Sequence, residues 1–291
     1  MKKVYIAGCG GMLGGDVYSV FKNAGYDILA TDIDINEDWL KFGDVRDFRS
    51  IRQQIINFNP ELIINLAALT DLEYCEINQE NAWLTNALGC ENLSNISIEL
   101  DKPYIYISTA GIFDGEQEMY NDFDSPNPIS IYAKSKYYGE NITINRNNKS
   151  YIFRAGWMMG GDKKDKKFVG KIMKKIKNNE DLFVVDDKLG TPTYTKDFAK
   201  SILNHYENKI PYGIYNMVCG GNASRFDVAD KILKILNLNN KLNLITSEQI
   251  SDEYFAPRPK SEKLINLKLN KLEVNLMRDW EICLKEYLFE M

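Results

Sequence analysis

The chain has 291 residues, 36 basic and 41 acidic side chains, a net charge of −5 and a pI near 5.2, enough for one large domain or two and too acidic for a general nucleic-acid binder. Its one histidine, His205, excludes a two-His zinc site and makes Ser-His-Asp hydrolysis unexpected, since that residue alone would have to be the base. Five scattered cysteines without a CxxC pair read as reduced, mostly buried thiols, and no stretch reaches the ~18 apolar residues of a membrane span, so a cytoplasmic protein with no membrane partner is expected.

The first half alternates two patterns. Residues 3–7 form a short β-rich run that ends at Gly8, and a helical pattern covers 12–24. A second strand spans 26–30 and closes at Asp32, and a helix over 46–57 is cut off before Pro60. A buried strand over 62–66, a long helix over 80–100 and a strand over 103–108 come next. A polar loop over 114–128 leads to a helix over 129–145, with Pro128 in its first turn and Asn127 as its cap, and then to a strand over 151–154. Continuous apolar strands alternating with helices predict an α/β fold: a Rossmann-type, doubly wound parallel sheet over 1–155. Residues 156–291 read as a smaller, mixed substrate domain that shares strands with the first, with helices over 168–178, 196–207 and 225–236 and strands over 182–185 and 213–218.

Two spacings carry chemistry. The run Gly8-Cys9-Gly10-Gly11-Met12-Leu13-Gly14 sits between a strand and a helix, with Gly8, Gly11 and Gly14 three apart. Such a turn lets a pyrophosphate approach the backbone and meet unpaired N–H groups at the helix start. Asp32, 18 residues beyond Gly14, can accept hydrogen bonds from ribose hydroxyls and would repel a 2′-phosphate, which favours NAD over NADP. Tyr132 and Lys136 are four apart in Tyr132-Ala133-Lys134-Ser135-Lys136, hence on one helix face. A neighbouring ammonium favours the phenolate and should lower a phenol pKa from its ordinary ~10. Ser108 and Thr109 end a strand at the carboxyl edge, where open α/β sheets bind ligands.

In order along the chain, these motifs resemble the extended short-chain dehydrogenase/reductases and, within them, the dTDP-4-dehydrorhamnose reductases. The matching pieces include the glycine run, Asp44-Val45-Arg46-Asp47, Asn65-Leu66-Ala67-Ala68, Asn86-Ala87-Leu88-Gly89, Ser108-Thr109, Tyr132 to Lys136 with Gly139-Glu140, Arg154 with Trp157, Gly190-Thr191-Pro192-Thr193-Tyr194 and Arg258-Pro259. The resemblance implies hydride transfer from NADH or NADPH to a 4-keto carbon of a nucleotide sugar. By that similarity Tyr132 is the proton donor, Lys136 tunes it and holds the nicotinamide ribose, and Thr109 bonds the carbonyl oxygen. Gly8, Gly11, Met12, Leu13, Asp32, Asp44, Val45, Leu66, Ala67 and Ala68 would line the cofactor, and Thr70, Trp157 and Arg258 the substrate. No metal ligand is implied, and a homodimer is compatible with all of this.

One departure stands out. The family's Ser-Thr-Asp-Tyr-Val-Phe run is here Ser108-Thr109-Ala110-Gly111-Ile112-Phe113. Losing the tyrosine removes a hydroxyl and opens space, which implies a related, bulkier ketosugar. Two other functions compete: an epimerase or dehydratase on the same fold, weakened because residues 110–111 supply no acidic pair, and a non-catalytic nucleotide-binding regulatory subunit. Among the scarce arginines, Arg154, Arg225 and Arg258 are candidate phosphate or carboxylate forks, with Arg258 preferred for the diphosphate. The lysine-rich segment 163–177 reads as a solvated helix face, with one or two lysines at its start near the diphosphate. His205 is placed on a surface helix without a role, and Cys9 is expected to be only a small residue fitting the tight glycine turn.

Overall fold

The computed structural model describes residues 2–291 and is built around a seven-stranded, all-parallel sheet in the order 213–216, 150–155, 104–109, 62–65, 3–7, 27–32, 40–42. The order reverses on either side of the central strand Lys3–Ala7, as in a doubly wound Rossmann-type sheet. Period-two alternation splits each strand between two cores. Val4, Ile6, Leu62, Ile64 and Phe153 face the helices Gly14–Asn23 and Thr195–Glu207 through Val17, Phe21, Phe198 and Ile202. Tyr5, Ala7, Ile63, Tyr106 and Ile152 face the helices Phe48–Phe58 and Gly89–Glu99 through Ile51, Ile55, Leu93 and Ile96. Both faces are covered, which is why these strands read as unbroken apolar runs.

The seventh strand, Gly213–Asn216, comes from the second half of the chain, so the large sheet does not stop at residue 155. The remaining second-half strands are short. Trp157–Met159 pairs with Pro192–Tyr194. Leu189–Gly190 pairs with both Ala223–Ser224 and Ser261–Glu262. The last helix, Trp280–Glu290, packs its buried Cys283, Leu284 and Leu288 into the first core.

Three readings of the sequence need correction. The helix expected over 80–100 is interrupted by a π-turn, Trp83–Leu88, and preceded by a separate helix, Leu72–Ile77, capped by Asp71. The helix expected from 129 starts at Ile131 instead, with Ser130 as its cap: its hydroxyl accepts from Ala133 N at 3.1 Å. Asn127 is engaged elsewhere, donating from its side chain to Asp114 and from its backbone to Ile112 O. His205 is buried, not on the surface. It packs edge-on to Phe153, Tyr151 and Tyr215, its Nδ1 lies 2.7 Å from Ser201 O, and burial lowers its pKa. A fully buried imidazole of depressed pKa, remote from the carboxyl edge, is a core residue.

Candidate active site

The carboxyl ends of the central strands converge on one cleft. Gly8 turns the chain out of the first strand at φ +71°, and a β-carbon there would stand 2.3 Å from Ala67 N, so the glycine loop and the 66–68 segment touch backbone to backbone. Gly14 is equally constrained, since a β-carbon would meet Cys9 O at 2.0 Å. Gly11 is different: its only neighbour would be Gly8 O at 3.6 Å, which leaves its outer face open. Among the described residues, Met12 N and Leu13 N donate to no protein acceptor. An open glycine beside two free N–H groups at a helix start fits a pyrophosphate. Leu13 can contribute only its backbone, because its side chain is buried in the first core.

Asp32 ends the second strand and accepts from Gly10 N at 2.8 Å and from Asp34 N at 3.0 Å. Its carboxylate is therefore held at the rim of the loop where an adenosine ribose would lie. Asp44 is clasped by Arg46 through Nε and Nη2 at 2.7–3.0 Å, and this ion pair holds its carboxyl below the usual range. Val45 packs against Gly89, and its carbonyl accepts from Asn92 Nδ2 at 2.8 Å. Cys9 is fully buried and burial pushes its thiol up, so it is out of reach of an alkylating reagent.

A hydrogen-bond path leads from the cofactor side to the tyrosine helix. Ala67 N donates to Asn65 Oδ1. Asn86, inside the π-turn, accepts from Leu69 N at 2.8 Å, donates back to Leu69 O at 3.0 Å and donates to Ser135 Oγ at 3.1 Å. Ser135 Oγ then donates to Tyr132 O. The extra residue of the π-turn is what aims Asn86 at this junction. No role for Asn86 follows from sequence spacing, because the helix reads as continuous.

Tyr132 and Lys136 do share a helix face, but their electrostatics differ from the expectation. Burial pushes the Tyr132 phenol up to about 12, and the nearby Thr109 hydroxyl offsets only part of that rise. Burial also pulls Lys136 down to about 8, opposed by the charges of Cys90 and Glu140. Lys136 Nζ donates to Ile107 O at 2.6 Å and lies 4.2 Å from the Tyr106 ring centre. In the protein alone the lysine is thus held by the strand and does not act on the phenol. Thr109 Oγ1 accepts from Gly111 N at 3.1 Å, which leaves its own proton free to be donated into the cleft.

The second half forms the opposite wall. Trp157 lies flat on Gly190, where a β-carbon would enter its ring at 2.2 Å, and its Nε1 donates to Glu262 Oε2 at 2.7 Å. The Arg225 guanidinium stacks 3.6 Å from the Trp157 ring centre. Arg225 opens the helix Arg225–Leu236, which Ser224 and Asp227 close with a capping box. Burial lowers Arg225 to about 10, and among the described residues it forms no hydrogen bond or ion pair. Arg258, the preferred diphosphate fork from sequence, is instead paired with Glu73 at 2.7 and 2.9 Å, and Arg154 with Glu140. Of the three arginines, only Arg225 is left for a ligand. Lys167, at the start of the lysine-rich helix, donates to both the carbonyl and hydroxyl of Thr70, which brings Thr70 to this wall.

The space at Gly111 is not empty. A β-carbon there would stand 3.2 Å from Glu262 Oε1 and 3.5 Å from Thr109 Oγ1, so a carboxylate from the far end of the chain occupies the recess where added bulk was expected. No helix of the described residues is long and apolar enough to cross a membrane.

Residues 1–291 match the RmlD substrate binding domain family. The spore coat polysaccharide biosynthesis protein SpsK of Bacillus subtilis is 30% identical, the alignment covering all of this chain and 98% of the relative. A dTDP-4-dehydrorhamnose reductase of Aggregatibacter actinomycetemcomitans is 29% identical over 98% of each. The crystal structure of the Bacillus anthracis dTDP-4-dehydrorhamnose reductase in complex with NADP is 30% identical, with a TM-score of 0.92 over the full length of both chains.

Proposed function

The chain belongs to the RmlD substrate binding domain family, and on that footing we propose that it is an NAD(P)H-dependent reductase of a nucleotide-linked 4-keto-6-deoxy sugar. The observation that carries this reading is the placing of Thr109, Tyr132 and Lys136 at the carboxyl edge of the sheet, joined through Ser135, Asn86 and Leu69 to the segment that touches the glycine loop.

Gly8, Gly11 and the free N–H groups of Met12 and Leu13 would hold the pyrophosphate, Asp32 the adenosine ribose, and Lys136 the nicotinamide ribose. Asp44, Val45, Leu66, Ala67 and Ala68 would border the adenine and the path between the two ribose units. When bound, the reduced cofactor supplies hydride to the keto carbon. Thr109 donates a hydrogen bond from its hydroxyl to the carbonyl oxygen, keeping its own proton, and fixes the position of that oxygen. Tyr132, neutral because burial keeps its phenol protonated, gives its proton to the same oxygen as negative charge develops there. Trp157 and Thr70 line the sugar, and Arg225, lying on the indole, takes the diphosphate.

The test is to mix the protein with NADH or NADPH and a panel of nucleotide 4-ketosugars and follow absorbance of the reduced cofactor. Consumption matched by an equal yield of the 4-hydroxy sugar is expected. Arg225→Met should raise KM roughly tenfold with little change in kcat, as for one lost charge-assisted contact. Tight cofactor binding without turnover on any sugar would overturn the reductase reading in favour of a regulatory one. An unchanged KM in the variant would remove Arg225 from the diphosphate.

A further inference from the structure

Glu262 is half used by the fold. Oε2 accepts from Trp157, whereas Oε1 has no hydrogen-bond partner among the described residues. The carboxylate forms no ion pair there either: Arg258 is spent on Glu73, and the adjacent Lys263 turns to Glu118. Its position is well fixed. The Ser261–Glu262 strand pairs with Leu189–Gly190, Gly190 backs the Trp157 ring, and the indole N–H holds one carboxylate oxygen. The other oxygen shares with Thr109 Oγ1 the small volume left by the missing side chain at 111. A rigidly held acceptor beside the reaction centre, with one oxygen unclaimed, is suited to reading a hydroxyl.

We propose that Glu262 Oε1 is a specificity-determining contact that accepts a hydrogen bond from a hydroxyl on the sugar carbon next to the reacting carbonyl. This rests on the reductase reading, in which Thr109 marks the position of the carbonyl oxygen. Two ring carbons flank a 4-keto carbon. Carbon 5 of a 6-deoxy sugar carries the ring oxygen and a methyl group, neither of which can donate, so the hydroxyl in question is the one on carbon 3. Gly111 matters because a β-carbon there would stand 3.2 Å from Glu262 Oε1 and crowd the oxygen left for that hydroxyl. The sequence run 108–113, taken alone, shows a loss of polar contact; the fold restores one from a segment far along the chain.

The contact is tested by calorimetric titration of dTDP-rhamnose and its 3-deoxy analogue into the wild type, Glu262→Gln and Glu262→Ala. The wild type should prefer the 3-hydroxy ligand by about 10- to 100-fold, as expected for a hydrogen bond to a charged acceptor. Glu262→Ala should bring the two ligands within about twofold, and Glu262→Gln, which keeps an acceptor for the Trp157 N–H, should fall between them. A wild type that binds the two ligands equally, or binds neither, overturns the proposal, as does a preference that survives in both variants. Failure of the reductase reading looks different: no cofactor oxidation with any ketosugar, while the Glu262-dependent preference in binding remains.

Discussion

Tyr132→Phe is expected to lower kcat by about 10²- to 10⁴-fold, the usual worth of a positioned acid, while cofactor affinity and melting temperature stay near their wild-type values. The phenol's hydrogen-bonding neighbour is Thr109, which is only partly buried, so removing the hydroxyl should leave no fully buried partner unpaired. The loss should fall on kcat and kcat/KM alike, because the proton is transferred only as the carbonyl oxygen gains charge. Absorbance assays of the reduced cofactor, with fluorescence titration of its binding, separate the two effects. A variant that keeps more than about a tenth of the rate would remove Tyr132 from the proton step.

The same groups set the sign of the pH dependence. A phenol near 12 stays protonated across the working range, so Tyr132 as an acid imposes no limb below about pH 11. Lys136, near 8, is charged below that pH and loses its proton above it. The charged form is the stronger donor to the nicotinamide ribose that Lys136 is proposed to hold, so kcat/KM should be highest below pH 8 and fall as pH rises through that value. Glu140, one helical turn on, is among the charges that hold Lys136 up. Neutralising it as Gln should therefore shift the falling limb to lower pH.

What could be read from the sequence was what is local. The glycine spacing and the Tyr132–Lys136 interval are set by one turn and one helix, and the structure places both at the carboxyl edge. What spacing alone missed depends on contacts between distant segments. Arg258 looked free because Glu73, 185 positions away, is invisible to any local pattern. Arg225 and Glu262 acquire meaning only when the strand Leu189–Gly190 joins the strands that carry or precede them. The π-turn at Trp83–Leu88 has the composition of an ordinary helix, so the turn of Asn86 towards Leu69 and Ser135 leaves no mark in the periodicity. His205 is a different case: it lies seven residues after buried Phe198, with buried Ser201 and Ile202 between, so the helical period itself puts it on the inner face.

The largest effect on stability should come from the pair behind the helix Ile131–Arg146. Glu140 and Arg154 are 1% and 3% exposed, and Arg154 grips the carboxylate through Nε at 3.0 Å and Nη2 at 2.9 Å. Arg154 also lies over the Phe113 ring, and its Nη1 is buried without a partner. Removing one member leaves the other as an uncompensated buried charge, so Glu140→Leu or Arg154→Met should each cost about 3–5 kcal/mol, roughly 5–10 °C in melting temperature for a chain of this size. Removing both clears the charge as well as the bond, and apolar side chains can fill the space. The double variant should thus recover most of the loss and be more stable than either single variant. Thermal and denaturant unfolding of the four proteins measures the coupling. Additive losses in the double variant would mean that each residue contributes by packing alone. Recovery of stability without recovery of the wild-type pH limb would show that the pair is retained for the charge it places one turn from Lys136.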